Sequence, residues 1–151
     1  MTSAQSLSPP NSVEIDDFDD AVRRHSNRSS GVWEYSAWVY VPEEMDKRQY
    51  FVLMNTYPGY INTPERWSLQ LELNGALGVV QDLLGSDTVP LVRDQWAEIK
   101  VVINLDDDSQ MVYYNDQHVL TKGWTDGVEP GGALNIGAVV LYSHGATPVY
   151  Y

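Results

Sequence analysis

Apolar and polar residues alternate in short runs along this chain, and no window holds an apolar face at helical spacing for three turns. The alternation predicts strands over residues 12–15, 31–41, 50–56, 67–73, 77–81, 96–105, 110–114, 118–120, 133–142 and 148–151. Turn formers separate them: Tyr-Pro-Gly-Tyr at 57–60, Asn74-Gly75, Asp-Asp-Asp-Ser at 106–109, Asn115-Asp116 and Glu-Pro-Gly-Gly at 129–132. Asn115 and Asp116 both tolerate positive φ, so a two-residue hairpin is expected there. Ten strands exceed what one twisted sheet carries comfortably, which predicts an all-β chain folded as two packed antiparallel sheets.

The run at 31–41 has the clearest faces. Trp33, Tyr35, Ala37, Val39 and Val41 share one side, while Glu34, Ser36, Trp38 and Tyr40 share the other. The first set reads as core. The second mixes rings with hydrogen-bonding groups, the combination that stacks on the apolar faces of sugars and meets their hydroxyls. The alternative is that a loop such as 57–60 covers Trp38 and Tyr40. Over 67–73 the alternation points Trp67, Leu69, Leu71 and Leu73 inward and Ser68, Gln70 and Glu72 outward. Over 96–105 it points Ala97, Ile99, Val101, Ile103 and Leu105 inward. Over 133–142 the set Leu134, Ile136, Ala138, Val140 and Tyr142 competes with Asn135, Gly137, Val139 and Leu141, so the phase there stays open.

Composition narrows the function classes. The chain has 151 residues, 43% of them hydrophobic, enough for one sizeable core. We expect an extended or disordered segment over 1–11 and a single sandwich over 12–151. Nine Lys+Arg against 21 Asp+Glu give a formal charge of −12, which repels phosphate backbones and anionic lipid surfaces, so neither nucleic acid nor membrane is an expected partner. No cysteine is present, which excludes disulfides and thiolate chemistry and leaves the compartment open. The first ten residues have neither a basic start nor an apolar run, so no secretory signal is expected in them.

At 31–42, at Tyr-Phe-Val-Leu-Met-Asn-Thr-Tyr (50–57), at Arg-Asp-Gln-Trp-Ala-Glu-Ile-Lys (93–100) and at Gly-Gly-Ala-Leu-Asn-Ile-Gly-Ala (131–138) the chain resembles a laminin-G-like module of the concanavalin A-like lectin and glucanase superfamily. The resemblance covers 12–151 and implies a jelly-roll sandwich with one concave sheet, of a kind appended to bacterial extracellular proteins. Placed on that sheet, Glu34, Ser36, Trp38, Tyr40, Asn55, Tyr57 and Gln70 are the candidate ligand-binding residues, and a polysaccharide is the expected ligand. Modules of this kind begin with a further acidic strand and continue past the 149–151 position into aspartates that often hold calcium. Neither part is expected within these 151 residues, so no cofactor is assigned, and an unpaired sheet edge open to a second copy is expected.

Three other chemistries have weaker footing. Glu14, Asp16 and Asp19 nearly match the Glu-x-Asp-x-x-Glu strand of laminarinase-type glycosidases in that superfamily, whose two carboxylates act about 5 Å apart. Aspartate at 19 is one methylene short, and the run reads equally as a solvated acidic turn. The carboxylates of Asp16, Asp17, Asp19 and Asp20 would attract a cation or be answered by Arg23 and Arg24, whereas Asp106, Asp107 and Asp108 read as a charged hairpin tip. His25, His118 and His144 lack metal-ligand spacing, no Gly-x-Ser-x-Gly elbow occurs, and no glycine-rich loop is expected to lead into a helix. The sequence thus favours a non-catalytic glycan-binding module over an assembly module or a divergent glycan hydrolase.

Overall fold

A computed structural model describes residues 1–26, 28–59 and 64–151. Among the described residues twelve strands follow one another: β1 (Glu14–Asp17), β2 (Asp20–Arg24), β3 (Val32–Tyr40), β4 (Arg48–Thr56), β5 (Arg66–Asn74), β6 (Val79–Asp82), β7 (Thr88–Pro90), β8 (Trp96–Asn104), β9 (Ser109–Tyr114), β10 (Gln117–Lys122), β11 (Ala138–His144) and β12 (Ala146–Tyr150). They form two six-stranded sheets in the orders β1-β12-β3-β8-β9-β10 and β2-β11-β4-β5-β6-β7, with antiparallel pairing throughout. The expected all-β two-sheet sandwich is the architecture observed.

The sheets face each other across a core that includes Val39, Phe51, Leu53, Leu69, Leu71, Ile99, Val101 and Trp124. On β8 the alternation is clean: Ala97, Ile99, Val101 and Ile103 are fully buried and the residues between them are half-buried. The indole N–H of Trp124 donates to the carbonyl of Asn135 at 2.9 Å, so the largest buried ring meets its one polar requirement. Lys122 of β10 reaches across to Asp82 of β6 at 2.9 Å, joining the two sheets by a buried ion pair.

Two strands were not expected. β2 is short and its sequence Asp-Ala-Val-Arg-Arg reads as an acidic turn followed by basic residues, yet it pairs with β11 from Asp20↔Tyr142 to Arg24↔Ala138. β7 is a three-residue edge strand inside what reads as a loop. The acidic run becomes the place where the chain changes sheets. β1 borders one sheet and β2 the other, while β12 and β11 run alongside them, so a bent two-stranded ribbon crosses the end of the sandwich at Asp17 and Gly145, both at positive φ. Ahead of β1, Thr2 and Ser12 exchange main-chain bonds at 3.0 and 2.9 Å.

Trp67 lies on the opposite face from the one the alternation assigns it. Leu53 pairs with Leu69 but Met54 pairs with Trp67, so Ser68 is an extra residue in β5. Such a bulge turns the following side chain over. Trp67 therefore joins Met54 on the outer face, while Leu69, Leu71 and Leu73 keep their inward positions. The open question on β11 is answered on both sides: Val139 and Leu141 face the core, and Ala138, Val140 and Tyr142 face outward into a second apolar cluster.

Candidate functional site

A sheet bounding a sandwich normally has one buried face and one wet face. Here the middle strands β4 and β5 are buried on both, from Gln49 to Asn55 and from Ser68 to Asn74. Their outer face carries Tyr50, Val52 and Met54, packed with Ala138, Val140 and Tyr142 of β11, and with Tyr57 and Trp67. A depression of about 250 Å³ opens over this cluster. Val52, Met54 and Val140 make its floor, the rings of Tyr57, Trp67 and Tyr142 stand around it, and the carboxylates of Asp20 and Glu65 lie at its rim.

Each ring is held. Tyr142 stacks on Tyr50 with centroids 5.8 Å apart and planes 16° from parallel. The Trp67 indole N–H points to Glu65 Oε2 at 3.4 Å, and its main-chain N–H donates to the carbonyl of Glu129 at 3.3 Å. The Arg24 guanidinium lies over the Tyr57 ring at 5.1 Å. The bulge that presents Trp67 is fixed from behind, because Gln110 donates to the carbonyl of Ser68 at 2.8 Å.

Beside the depression runs a buried polar row. Glu72, 1% exposed, accepts from Asn74 at 2.8 Å and Gln81 at 3.1 Å on one oxygen and from the Tyr50 hydroxyl at 3.0 Å on the other, with Arg48 at 3.7 Å. Burial, and then the bond to Glu72, push the Tyr50 hydroxyl above its usual range, so it remains a donor. Gln70, paired across to Val52, is buried and its side chain has no hydrogen bond among the described residues.

The seven residues expected to form one site are divided. Glu34, Ser36, Trp38 and Tyr40 lie on the outer face of the other sheet, on β3. Gln70 and Tyr57 belong to the sheet that carries the depression, and Asn55 supports a loop instead, donating to the carbonyl of Gly131 at 2.9 Å and accepting from Asn135 at 3.1 Å. Asn55 and Gln70 therefore do not approach Trp38: the sandwich core stands between them. On β3, Trp38 is 43% exposed and has no ring partner among the described residues, whereas Tyr40 packs against Trp96 and Tyr150. Ser36 donates to Glu98 at 2.5 Å. The turn expected to fold over this face ends in Tyr60, outside the described residues, and its Tyr57 lines the depression on the opposite sheet.

The acidic motifs find other uses. Glu14 pairs across to Tyr150, and Asp19 sits in the turn before β2, where its bond to Asp16 raises the Asp16 carboxyl, helped by burial and neighbouring acids. At the hairpin tip, Asp106 accepts from the Gly31 N–H at 2.8 Å, Asp107 from Asn104 at 2.7 Å, and Asp108 from the Thr125 N–H and hydroxyl at 2.9 and 2.7 Å. No three His, Asp or Glu side chains among the described residues converge on one point as metal ligands.

The fold has counterparts among solved structures. A sialidase matches over 92% of this chain at 14% identity with a TM-score of 0.61, although the chain spans only 14% of that protein's length. The Caenorhabditis elegans galectin LEC-6 matches over 91% of this chain and 94% of its own, at 13% identity and a TM-score of 0.54. The carbohydrate binding module CBM66 from Bacillus subtilis matches over 93% and 88%, at 16% identity and a TM-score of 0.51. The chain thus has the concanavalin A-like jelly-roll fold. No family model matches the sequence, and no curated protein does.

Proposed function

We propose that this protein is a non-catalytic glycan-binding module whose site is the depression framed by Tyr57, Trp67 and Tyr142. One observation carries the reading: three aromatic rings surround an apolar floor, with two carboxylates beside them and Gln70 on the same sheet face opposite Val52. Rings of this kind take the C–H face of a pyranose, and amides and carboxylates take its hydroxyls. The small volume matches one or two sugar units of a longer chain rather than a deeply enclosed ligand. Asp20 and Glu65 at the rim repel uronates, so neutral or amino sugars are the preferred class. The fold it shares with a galectin and a carbohydrate binding module supports this reading.

The test is affinity electrophoresis through gels containing neutral, amino-sugar and uronate polysaccharides. Trp67→Ala should abolish retardation, at a loss of about 1–3 kcal/mol or more in binding, and Trp38→Ala should leave it intact. The reverse pattern would move the site to β3, and retardation by no polysaccharide would overturn the proposal.

A further inference from the structure

The depression has a neighbour across Tyr57. The same ring lines a second hollow of about 320 Å³ on its other side, together with Arg24, His25, Thr56 and Asn135. No carboxylate lines this second hollow, whereas Asp20 and Glu65 stand at the rim of the first. The change of sign runs along β2. Asp20, Val22 and Arg24 alternate onto one face of that strand, so the acid and the guanidine-bearing residue are about 13 Å apart along it. Val22, between them, lines the first hollow.

Arg24 is a fixed cation without an acid of its own. Its guanidinium lies over the Tyr57 ring at 5.1 Å and is seated against Gly59, where any Cβ would strike it. Arg48, Arg66, Lys100 and Lys122 each stand within 4.0 Å of a carboxylate, but among the described residues no Asp or Glu pairs with Arg24. The chain has 21 Asp+Glu against nine Lys+Arg, so an arginine held in place and left without a carboxylate keeps its pairing capacity for something outside the chain. The neutral groups beside it are spent on one another. The Thr56 hydroxyl donates to Asn55 Oδ1 at 2.8 Å, and Asn135 Nδ2 donates to the Asn55 carbonyl at 3.1 Å. The guanidinium is therefore the group that selects what enters.

We infer that the bound glycan carries an acidic sugar next to the one held in the depression, and that Arg24 pairs with its carboxylate or sulfate group. The inference rests on the glycan reading above and names the class within it: a heteropolysaccharide in which a neutral or amino sugar is linked to an acidic one. The two hollows share Tyr57, so neighbouring units of one glycan chain reach both. A polymer that is acidic at every unit sets charge against Asp20 and Glu65, and a wholly neutral polymer leaves Arg24 unpaired. Only the mixed polymer matches both.

The probes are four hexasaccharides titrated calorimetrically into the protein: N-acetylglucosamine alone, N-acetylglucosamine alternating with glucuronate, N-acetylglucosamine alternating with its sulfate ester, and galacturonate alone. At least one mixed probe should bind about tenfold tighter than the neutral one, and galacturonate should bind most weakly. The better mixed probe tells whether Arg24 reads a carboxylate or a sulfate. Arg24→Gln should remove that advantage while changing the affinity for the neutral probe by no more than about twofold, and Trp67→Ala should abolish binding of both. Equal losses for neutral and mixed probes in Arg24→Gln would make the residue a mere support for Tyr57, and overturn the inference. No advantage for either mixed probe, or tightest binding by galacturonate, overturns it too, while Trp67-dependent binding of the neutral probe leaves the glycan site standing. Binding of none of the four also overturns it, and the reading beneath it falls only if no polysaccharide retards the protein in gels.

Discussion

Gly127 is seated directly against the carbonyl of Trp67, so that a Cβ at 127 would land on that oxygen and on the α-carbon of Ser68. The loop bearing Gly127 therefore holds the bulge that turns Trp67 outward. Backbone, not a flexible side chain, is what the added methyl would meet. Gly127→Ala should cost about 2–3 kcal/mol, or roughly 5–10 °C in melting temperature, measured by thermal unfolding. Glycan retardation should weaken at the same time, because Trp67 can no longer keep its place beside Tyr142. An unchanged melting temperature would show that the loop moves aside freely.

The Lys122–Asp82 pair makes a different prediction. Both side chains are largely buried, and Asp82 Oδ1 has no partner of its own. Lys122→Met should destabilise by about 3–5 kcal/mol, because it strands a carboxylate between the sheets. Pairing it with Asp82→Leu should recover most of that loss. Chemical denaturation of the single and double variants checks both, and equal stability of the two would refute the argument.

Alkaline pH should unfold the protein in a defined window. Burial is the chief reason that the Tyr114 hydroxyl is pushed up to about 12, and burial raises Tyr151 as well. Below about pH 10 both folded and unfolded forms hold the Tyr114 proton, and stability does not change with pH on its account. Between about 10 and 12 only the unfolded chain releases it, which favours unfolding by an amount on the order of 2 kcal/mol from Tyr114 alone. Above that range its effect levels off. Tyrosinate absorbance followed together with circular dichroism should show the last tyrosines ionising only as the sheets unfold, and Tyr114→Phe should flatten the decline.

Tyr50 tests the polar row behind the depression. Tyr50→Phe removes one donor from a buried carboxylate that keeps Asn74 and Gln81 as partners, so the expected cost is about 1–2 kcal/mol. Glycan binding should change little, since the Phe ring still stacks under Tyr142.

Much of the fold was legible because strand period and burial coincide. Trp33 and Val39 read as inward, Trp38 as outward, and the structure agrees, since nothing interrupts β3. The candidate site was less legible for two physical reasons. Trp67-Ser-Leu-Gln-Leu-Glu-Leu73 alternates without a break in the sequence, and the bulge at Ser68 is imposed by Gly127 and Gln110 from distant parts of the chain. No local pattern carries that. Asp20 and Glu65 were equally hidden, since they reach the rim only through pairing and loop placement. One signal was available. Tyr50-Phe-Val-Leu-Met54 is apolar at every position, as in a strand covered on both faces, and its outward residues are those beneath the depression.

The bent ribbon at the end of the sandwich governs how the molecule is made. Among the described residues, strands β1 and β2 pair with β12 and β11, a long way further along the chain, so neither ribbon strand can form until both distant stretches have been made. Loop closure over that span is slow, and folding on the millisecond-to-second scale follows. A nascent chain halted before β11 leaves β4 without one of its two neighbours and exposes the outward face of Tyr50 and Val52, a surface that a chaperone would need to shield.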